Sequence, residues 1–325
     1  MKAEPDSGFW RHRPVTVTGG GGFLGRAVVR ALEGLGATNV SVVRSREHDL
    51  TDADACRAAL EGADTVLHLA ARVGGIGFIK RNPGTVAHDN MVMGANVFEA
   101  ARLGGVRKLV CAGSACAYPK RLPVPFRETD LWSGYPDEST APYGEAKRAL
   151  LVLSDSYRRE HGLDSCAPIL TNLYGPGDNY DLEDSHVAAA MVRKFVEAAE
   201  RREGSVVLWG TGRPTRELLH VDDAARALLL AAEHLDTSEP VNVGTGIPTS
   251  IRDLAEMVRE ISGFEGEIVW DDSMPDGTPE RYFDVTRARE LIGFEARVPL
   301  EEGLRGAVEA YRAAPVENRG AAASP

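Results

Sequence analysis

The sequence predicts an α/β protein built as a doubly wound parallel sheet, followed by a smaller, mainly helical lobe. Three observations point there. Short apolar runs alternate with longer helix-patterned segments through the first half of the chain. These runs are continuously apolar, as strands buried on both faces require. A glycine cluster lies between the first run and the first helical segment.

In chain order, Val15 to Thr18 reads as a strand, Phe23 to Leu35 as a helix and Val40 to Arg44 as a strand. Asp52 to Leu60 is helical, Thr65 to Leu69 a strand, Thr85 to Leu103 a long helix and Lys108 to Ala112 a strand. Pro142 to Glu160 is helical, and Ser165 to Leu173 reads as one strand. After Gly175 helices dominate, at Val187 to Glu203, Val221 to His234, Ile251 to Ser262 and Leu300 to Arg312. Short strands are expected between them at Val206 to Leu208, Val241 to Val243 and Ile268 to Trp270. This divides the chain into residues 1–175, with return segments near 215–245, and a lobe over 176–325. The boundary between two such units is a usual place for a small-molecule cleft.

The 325 residues carry a net charge of −11, which argues against nonspecific binding to nucleic acid or anionic membranes. Met1 to Arg13 lacks the apolar core of a signal peptide, and no apolar run approaches the roughly 20 residues of a membrane span. The four cysteines, Cys56, Cys111, Cys116 and Cys166, show no metal or disulfide spacing and read as reduced thiols of a cytoplasmic protein. No metal site is expected. The tail from Pro315 to Pro325 is small and polar, and disorder is expected there.

Gly19, Gly22 and Gly25 give a Gly-x-x-Gly-x-x-Gly spacing across Thr18 to Gly25, with Phe23 and Leu24 opening the helix. Glycines there permit a tight turn and close approach of a pyrophosphate to free helix N–H groups. A flexible turn is the bland alternative, but strand before and helix after favour a Rossmann-type dinucleotide site. The second strand runs into Arg44, Ser45 and Arg46, where an NAD enzyme would place a carboxylate. Guanidiniums and a hydroxyl suit the 2′-phosphate of NADP(H). Asp49, Leu69, Ala70 and Ala71 are weaker candidates for the adenine and pyrophosphate.

Tyr143 and Lys147 are four residues apart on a predicted helix and share a face. An ammonium beside a phenol lowers its pKa, so Tyr143 is expected to relay a proton during hydride transfer. Lys147 also counts among the cofactor-binding candidates. Ser114, after the fourth strand, is placed to bond the reacting oxygen.

These residues identify an extended short-chain dehydrogenase/reductase, and the chain closely resembles the GDP-L-fucose synthase family along nearly its whole length. The resemblance is carried by Ala70–Ile76, Gly113–Lys120, Thr171–Asn179, Ser185–Val187, Leu208–Gly212, Arg216–Asp223 and Pro275–Pro279. It implies 3,5-epimerisation of a GDP-4-keto-6-deoxyhexose followed by NADPH-dependent reduction at C4. It implies Cys116 and His186 as the epimerising acid and base, residue types that titrate near neutral pH when tuned. It places Asn172, Val187, Lys194, Trp209, Arg216 and Arg281 near the nucleotide-sugar, and implies a homodimer through the helices near Thr85–Leu103 and Pro142–Glu160. Ala115, Ala117, Leu170 and Glu280 depart from the family pattern, which bears on sugar specificity.

A second use of the same residues is a redox-neutral epimerase of the GDP-mannose type, oxidising and re-reducing C4 with a retained cofactor; NAD is the alternative cofactor there. A non-catalytic dinucleotide sensor on this fold is disfavoured by the presence of Tyr143 and Lys147. The residues leave the first two readings open.

Overall fold

The computed structural model describes residues 3–274, 276–315 and 319. Met1, Lys2 and Pro275 lie outside the described residues, as does most of the 315–325 tail on which disorder was expected. The central feature is a five-stranded parallel sheet in the order Val40–Val43, Val15–Thr18, Thr65–His68, Lys108–Cys111, Ser165–Cys166. Every residue of Val15–Thr18, Thr65–His68 and Lys108–Cys111 is buried, so both faces of these strands are covered.

Helices Phe23–Gly34 and Val221–His234 pack together on one face. Helices Ala53–Ala59, Pro83–Leu103 and Ala141–His161 cover the other. Ala288, Ile292 and Phe294 join the first of these cores, although the sequence assigns them to the lobe. A third core holds helices Val187–Arg201, Ile251–Ser262 and Leu300–Ala313. A parallel pair, Ser205–Trp209 with Glu267–Asp271, extends it.

The expected single strand from Ser165 to Leu173 is a correction. The chain there makes three short strands: Ser165–Cys166 in the main sheet, Ile169–Leu170 between Gly113–Ser114 and Asn242–Val243, and Asn172–Tyr174 beside Leu218–His220. Pro168 is the physical reason. It has no N–H to continue the ladder, and its carbonyl instead accepts from Gly113 N at 2.8 Å. The break lets one segment pass from sheet to lobe.

Three short α-helices escaped the sequence pattern, one of them Thr286–Ile292. Ser7–Trp10 is capped by Asp6, and its buried Trp10 donates to Glu233. Ile76–Arg81 follows Gly75 and packs against the long helix Pro83–Leu103. No helix among the described residues is long and apolar enough to cross a membrane.

Arg148 fixes the loops around the fourth strand. Its buried guanidinium donates to the carbonyls of Ala117 at 2.7 Å, Leu131 at 2.7 Å and Gly134 at 2.8 Å. Replacing it with methionine leaves those carbonyls without a donor, and each hydrogen bond to a charged group contributes about 1.5–3 kcal/mol. Arg148→Met should lower unfolding stability by about 3 kcal/mol or more in denaturant titration. A loss below about 1 kcal/mol would show that water replaces the guanidinium at no cost.

Candidate active site

The glycine loop has no room for side chains. Gly19 sits at φ +69°, and a Cβ there would lie 2.7 Å from Ala70 N. A Cβ on Gly25 would meet the Gly19 carbonyl at 2.1 Å, so the helix can start beside the first strand only with glycine at both positions. Gly22 caps helix Phe23–Gly34 without a side-chain bond, which leaves its first N–H groups to an anion. Phe23 and Leu24 lie in that first turn and pack partly buried against the core. On the other side of the first strand, Leu69 N bonds the Thr18 carbonyl at 3.1 Å and Ala70 N bonds Thr18 Oγ1 at 3.3 Å. Ala71 follows directly. The strand order reverses between these two neighbouring strands, and ligands of open α/β sheets bind at such a point. This cradle fits a dinucleotide pyrophosphate.

Arg44 lies beside the loop: its Nε is 3.5 Å from where a Cβ on Gly21 would be. Arg44, Ser45 and Arg46 form the turn that leaves Val40–Val43, one residue earlier than the expected strand end. Glu47, past the strand as expected, pairs with both arginines, at 3.7 Å to Arg44 and 3.4 Å to Arg46. Asp49 turns inward on its own loop, accepting from Thr51 N at 2.9 Å and Thr51 Oγ1 at 2.7 Å, and these bonds hold its pKa low.

The catalytic candidates converge where helix Ala141–His161 meets the 113–117 segment. Ser114 Oγ accepts from Cys116 N at 3.2 Å and so caps the short 3₁₀ turn Ala115–Ala117 that presents Cys116. A Cβ on Gly144 would strike the Cys116 carbonyl at 2.2 Å, so glycine is what allows the helix to approach this closely. Tyr143 and Lys147 flank it, with Nζ 5.4 Å from the tyrosine ring centroid. Lys147 is 4% exposed and donates to the Ala112 carbonyl at 2.7 Å.

The electrostatics correct one expectation. Burial, and then the neighbouring Cys116, push the Tyr143 phenol above its ordinary pKa, and the lysine does not reverse this. Tyr143 therefore holds its proton at neutral pH and is set to donate it. Burial lowers Lys147 to about 8. Burial and the nearby Lys147 hold His68 at about 3, so it is neutral where it bonds Thr18 Oγ1 at 2.8 Å behind the loop.

The lobe supplies the remaining candidates. His186 caps helix Val187–Arg201 through its backbone only; desolvation by the surrounding protein lowers its pKa, although the residue as a whole is exposed. His186 and Cys116 share no hydrogen bond. Asn172 donates to the Glu217 carbonyl at 3.0 Å, and Lys194 to the Val207 carbonyl at 3.0 Å. Trp209 is 67% exposed at the end of its strand. Arg216 donates to Thr215 O at 2.7 Å and Thr278 O at 2.8 Å; burial, and then the neighbouring Arg281, lower it to about 10. Arg281 reaches the Ala115 carbonyl at 3.0 Å, next to Cys116. A desolvated guanidinium with a second one near it suits a diphosphate.

The sequence did not single out Gly144, Arg148, Arg26 or Glu217. The buried Glu217 carboxylate accepts from Thr245 N at 2.5 Å, Gly246 N at 2.7 Å and Phe283 N at 2.8 Å. A cleft of about 330 Å³, lined in part by Leu218, Thr249, Arg289 and Arg297, shares no residue with the catalytic group.

Glycine loop, exit-strand serine and Tyr-Lys helix together define a nucleotide-dependent enzyme of the short-chain type. The model of the NAD dependent epimerase/dehydratase family matches residues 15–244, and the chain belongs to that family. It is 43% identical over 316 residues to a probable GDP-L-fucose synthase 1 of Oryza sativa subsp. japonica, across 95% of both chains. It is 39% identical over 302 residues to the GDP-L-fucose synthase of Escherichia coli (strain K12), covering 89% of this chain and 94% of that one. The crystal structure of a GDP-L-fucose synthetase from Naegleria fowleri bound to NADP superposes with a TM-score of 0.88 at 29% identity, covering 98% of this chain and 97% of that one.

Lys147 carries its positive charge below about pH 8 and loses it above. The charge favours electron density moving onto an oxygen at Tyr143 and Ser114. Turnover at fixed saturating cofactor should therefore fall as pH rises through about 8. A pH–rate profile flat to pH 10 would show that the lysine charge does not matter.

Proposed function

We propose that this protein converts GDP-4-keto-6-deoxymannose into GDP-L-fucose by epimerisation at C3 and C5 and reduction at C4 with NADPH. The observation that carries this is the gathering of Ser114, Cys116, Tyr143 and Lys147 where helix Ala141–His161 meets the segment after the fourth strand. The named activity of its relatives supports the same reading.

Each residue has a task its environment suits. The 4-keto group acidifies the hydrogens at C3 and C5, because the resulting carbanion is an enolate. Cys116 and His186 exchange those protons with the ring, one acting as acid and the other as base. Ser114 and Tyr143 bond the C4 oxygen; Tyr143, held protonated, gives its proton as that oxygen becomes a hydroxyl. Lys147 stabilises the phenolate left behind. When bound, the nicotinamide supplies the hydride. Arg216 and Arg281 take the diphosphate, and Lys194, Trp209, Asn172 and Val187 line the nucleotide-sugar site. Gly19, Gly22 and Gly25 seat the cofactor pyrophosphate, and Leu69, Ala70 and Ala71 form its opposite wall. We also assign a homodimer through helices Pro83–Leu103 and Ala141–His161, which expose Met91 and Val152. The free cysteines suit a reducing compartment, and we place the protein in the cytoplasm.

Solvent deuterium separates the two duties. With GDP-4-keto-6-deoxymannose in D2O, Cys116→Ser or His186→Asn should cut label entry at C3 and C5 by about 100-fold or more. Full label entry in either variant removes that residue from the proton transfers. Epimerisation of GDP-mannose itself by the wild type, with no NADPH consumed, would instead establish the redox-neutral epimerase.

Arg44 and Arg46 should set a preference for NADP(H). Both are partly exposed, and Glu47 competes with the 2′-phosphate for them, so the expected preference over NAD(H) is about tenfold or more. Arg44→Ala/Arg46→Ala should bring the ratio of dissociation constants to within about threefold of one. An unchanged ratio would place the discrimination elsewhere.

A further inference from the structure

Arg26 lies on the first turn after the glycine loop, and both of its bonds go to backbone carbonyls, one in that loop and one far along the chain. Nη1 donates to Gly21 O at 2.7 Å, inside the loop. Nη2 donates to Gly177 O at 2.7 Å, in the segment that leads into the lobe. Gly177 sits at φ +81°, and a Cβ there would lie 3.2 Å from Nη2, so the turn is shaped around the guanidinium. Burial lowers the Arg26 pKa, as expected of a cation held away from water.

From Gly177 the chain folds directly towards His186. Asn179 Oδ1 accepts from Asp181 N at 3.0 Å, and Asp181 O accepts from Ser185 N at 2.7 Å. A second strut reaches the same loop from the far side: Gly75 N donates to Asp184 O at 2.7 Å, and Arg81 pairs with Asp184 at 3.0 Å. Gly75 lies four residues beyond Ala71. The loop bearing His186 is thus held by two struts, and each begins beside the dinucleotide cradle.

We propose that Arg26 is a positioning residue that couples the glycine loop to the loop carrying His186, so that seating the dinucleotide orders the epimerising histidine. The proposal rests on the proposed function for the identity of the reaction, and on geometry alone for the coupling. A guanidinium serves two carbonyls from separate nitrogens; a lysine ammonium is a single point donor and cannot copy that fork. Coupling is reciprocal, so loosening Arg26 must weaken cofactor binding and loop order by the same factor.

The test compares wild type, Arg26→Met and Arg26→Lys with NADP⁺, which seats the cofactor without allowing reduction. Hydrogen exchange of the backbone amides over 177–186 is followed with and without NADP⁺, together with deuterium entry at C3 and C5 of the 4-keto substrate. In wild type, NADP⁺ should slow amide exchange in this segment by about fivefold or more and speed deuterium entry by a similar factor. Both effects should shrink to less than about twofold in Arg26→Met, with NADP⁺ affinity weakened in proportion. Arg26→Lys should fall between, and it carries the test if the methionine variant does not fold. NADP⁺ protection retained in full by both variants overturns the latch, as does its absence in wild type. Absence of deuterium entry in wild type overturns the epimerase reading instead, and amide protection alone then decides the latch.

Discussion

The site depends on one close approach: helix Ala141–His161 lying against the backbone of the 113–117 segment. Gly144 makes it possible, because any larger residue would strike the Cys116 carbonyl. Two residues one turn further along the helix then hold it in place. Lys147 bonds the Ala112 carbonyl below Cys116, and Arg148 bonds the Ala117 carbonyl above it. Two buried cations thus fasten the helix to carbonyls at the two ends of the stretch that presents Ser114 and Cys116. A cation buried without such partners would be strongly unfavourable, so packing and catalytic geometry are set by the same contacts.

That burial also decides proton ownership. The phenol of Tyr143 is pushed up, the ammonium of Lys147 pulled down and His68 kept neutral, all chiefly by desolvation. A ketone reduction needs an acid that still has its proton at neutral pH, and an ammonium that is charged when the phenolate forms. A desolvated Tyr-Lys pair meets both conditions. A neutral His68 behind the glycine loop adds no positive charge that would depress the lysine further.

The cofactor half was legible because its signals are local. Three glycines at fixed spacing and two arginines after the second strand act through their immediate neighbours. Tyr143 and Lys147 were legible for the same reason, since helical periodicity alone puts them on one face. Their pKa directions were not, because burial belongs to the assembled fold. The broken strand from Ser165 to Leu173 was missed because an apolar run does not say which partners it meets, although Pro168 was a visible signal. Arg26, Arg148 and Glu217 look like ordinary solvated charges in sequence. Apart from the bonds of Arg26 to Gly21 and Arg148 to Glu145, their partners lie between 14 and 151 residues away, beyond any local pattern.

The lobe side of the site follows a matching logic. Along the strand Thr215–His220, successive side chains point to opposite faces, so Arg216 and Glu217 serve different regions. Glu217 turns into the protein and accepts from the backbone of Thr245, Gly246 and Phe283, where Gly244 leaves it room. Phe283 is two residues beyond Arg281, which reaches back to Ala115. Burial raises the Glu217 pKa, while the three backbone donors favour its charged form. Glu217 thus anchors from the other face the 245–246 turn and the segment that carries Arg281 two residues before Phe283. Arg216 is the next residue along the strand, yet the Glu217 carboxylate bonds backbone N–H groups while the Arg216 guanidinium bonds the Thr215 and Thr278 carbonyls.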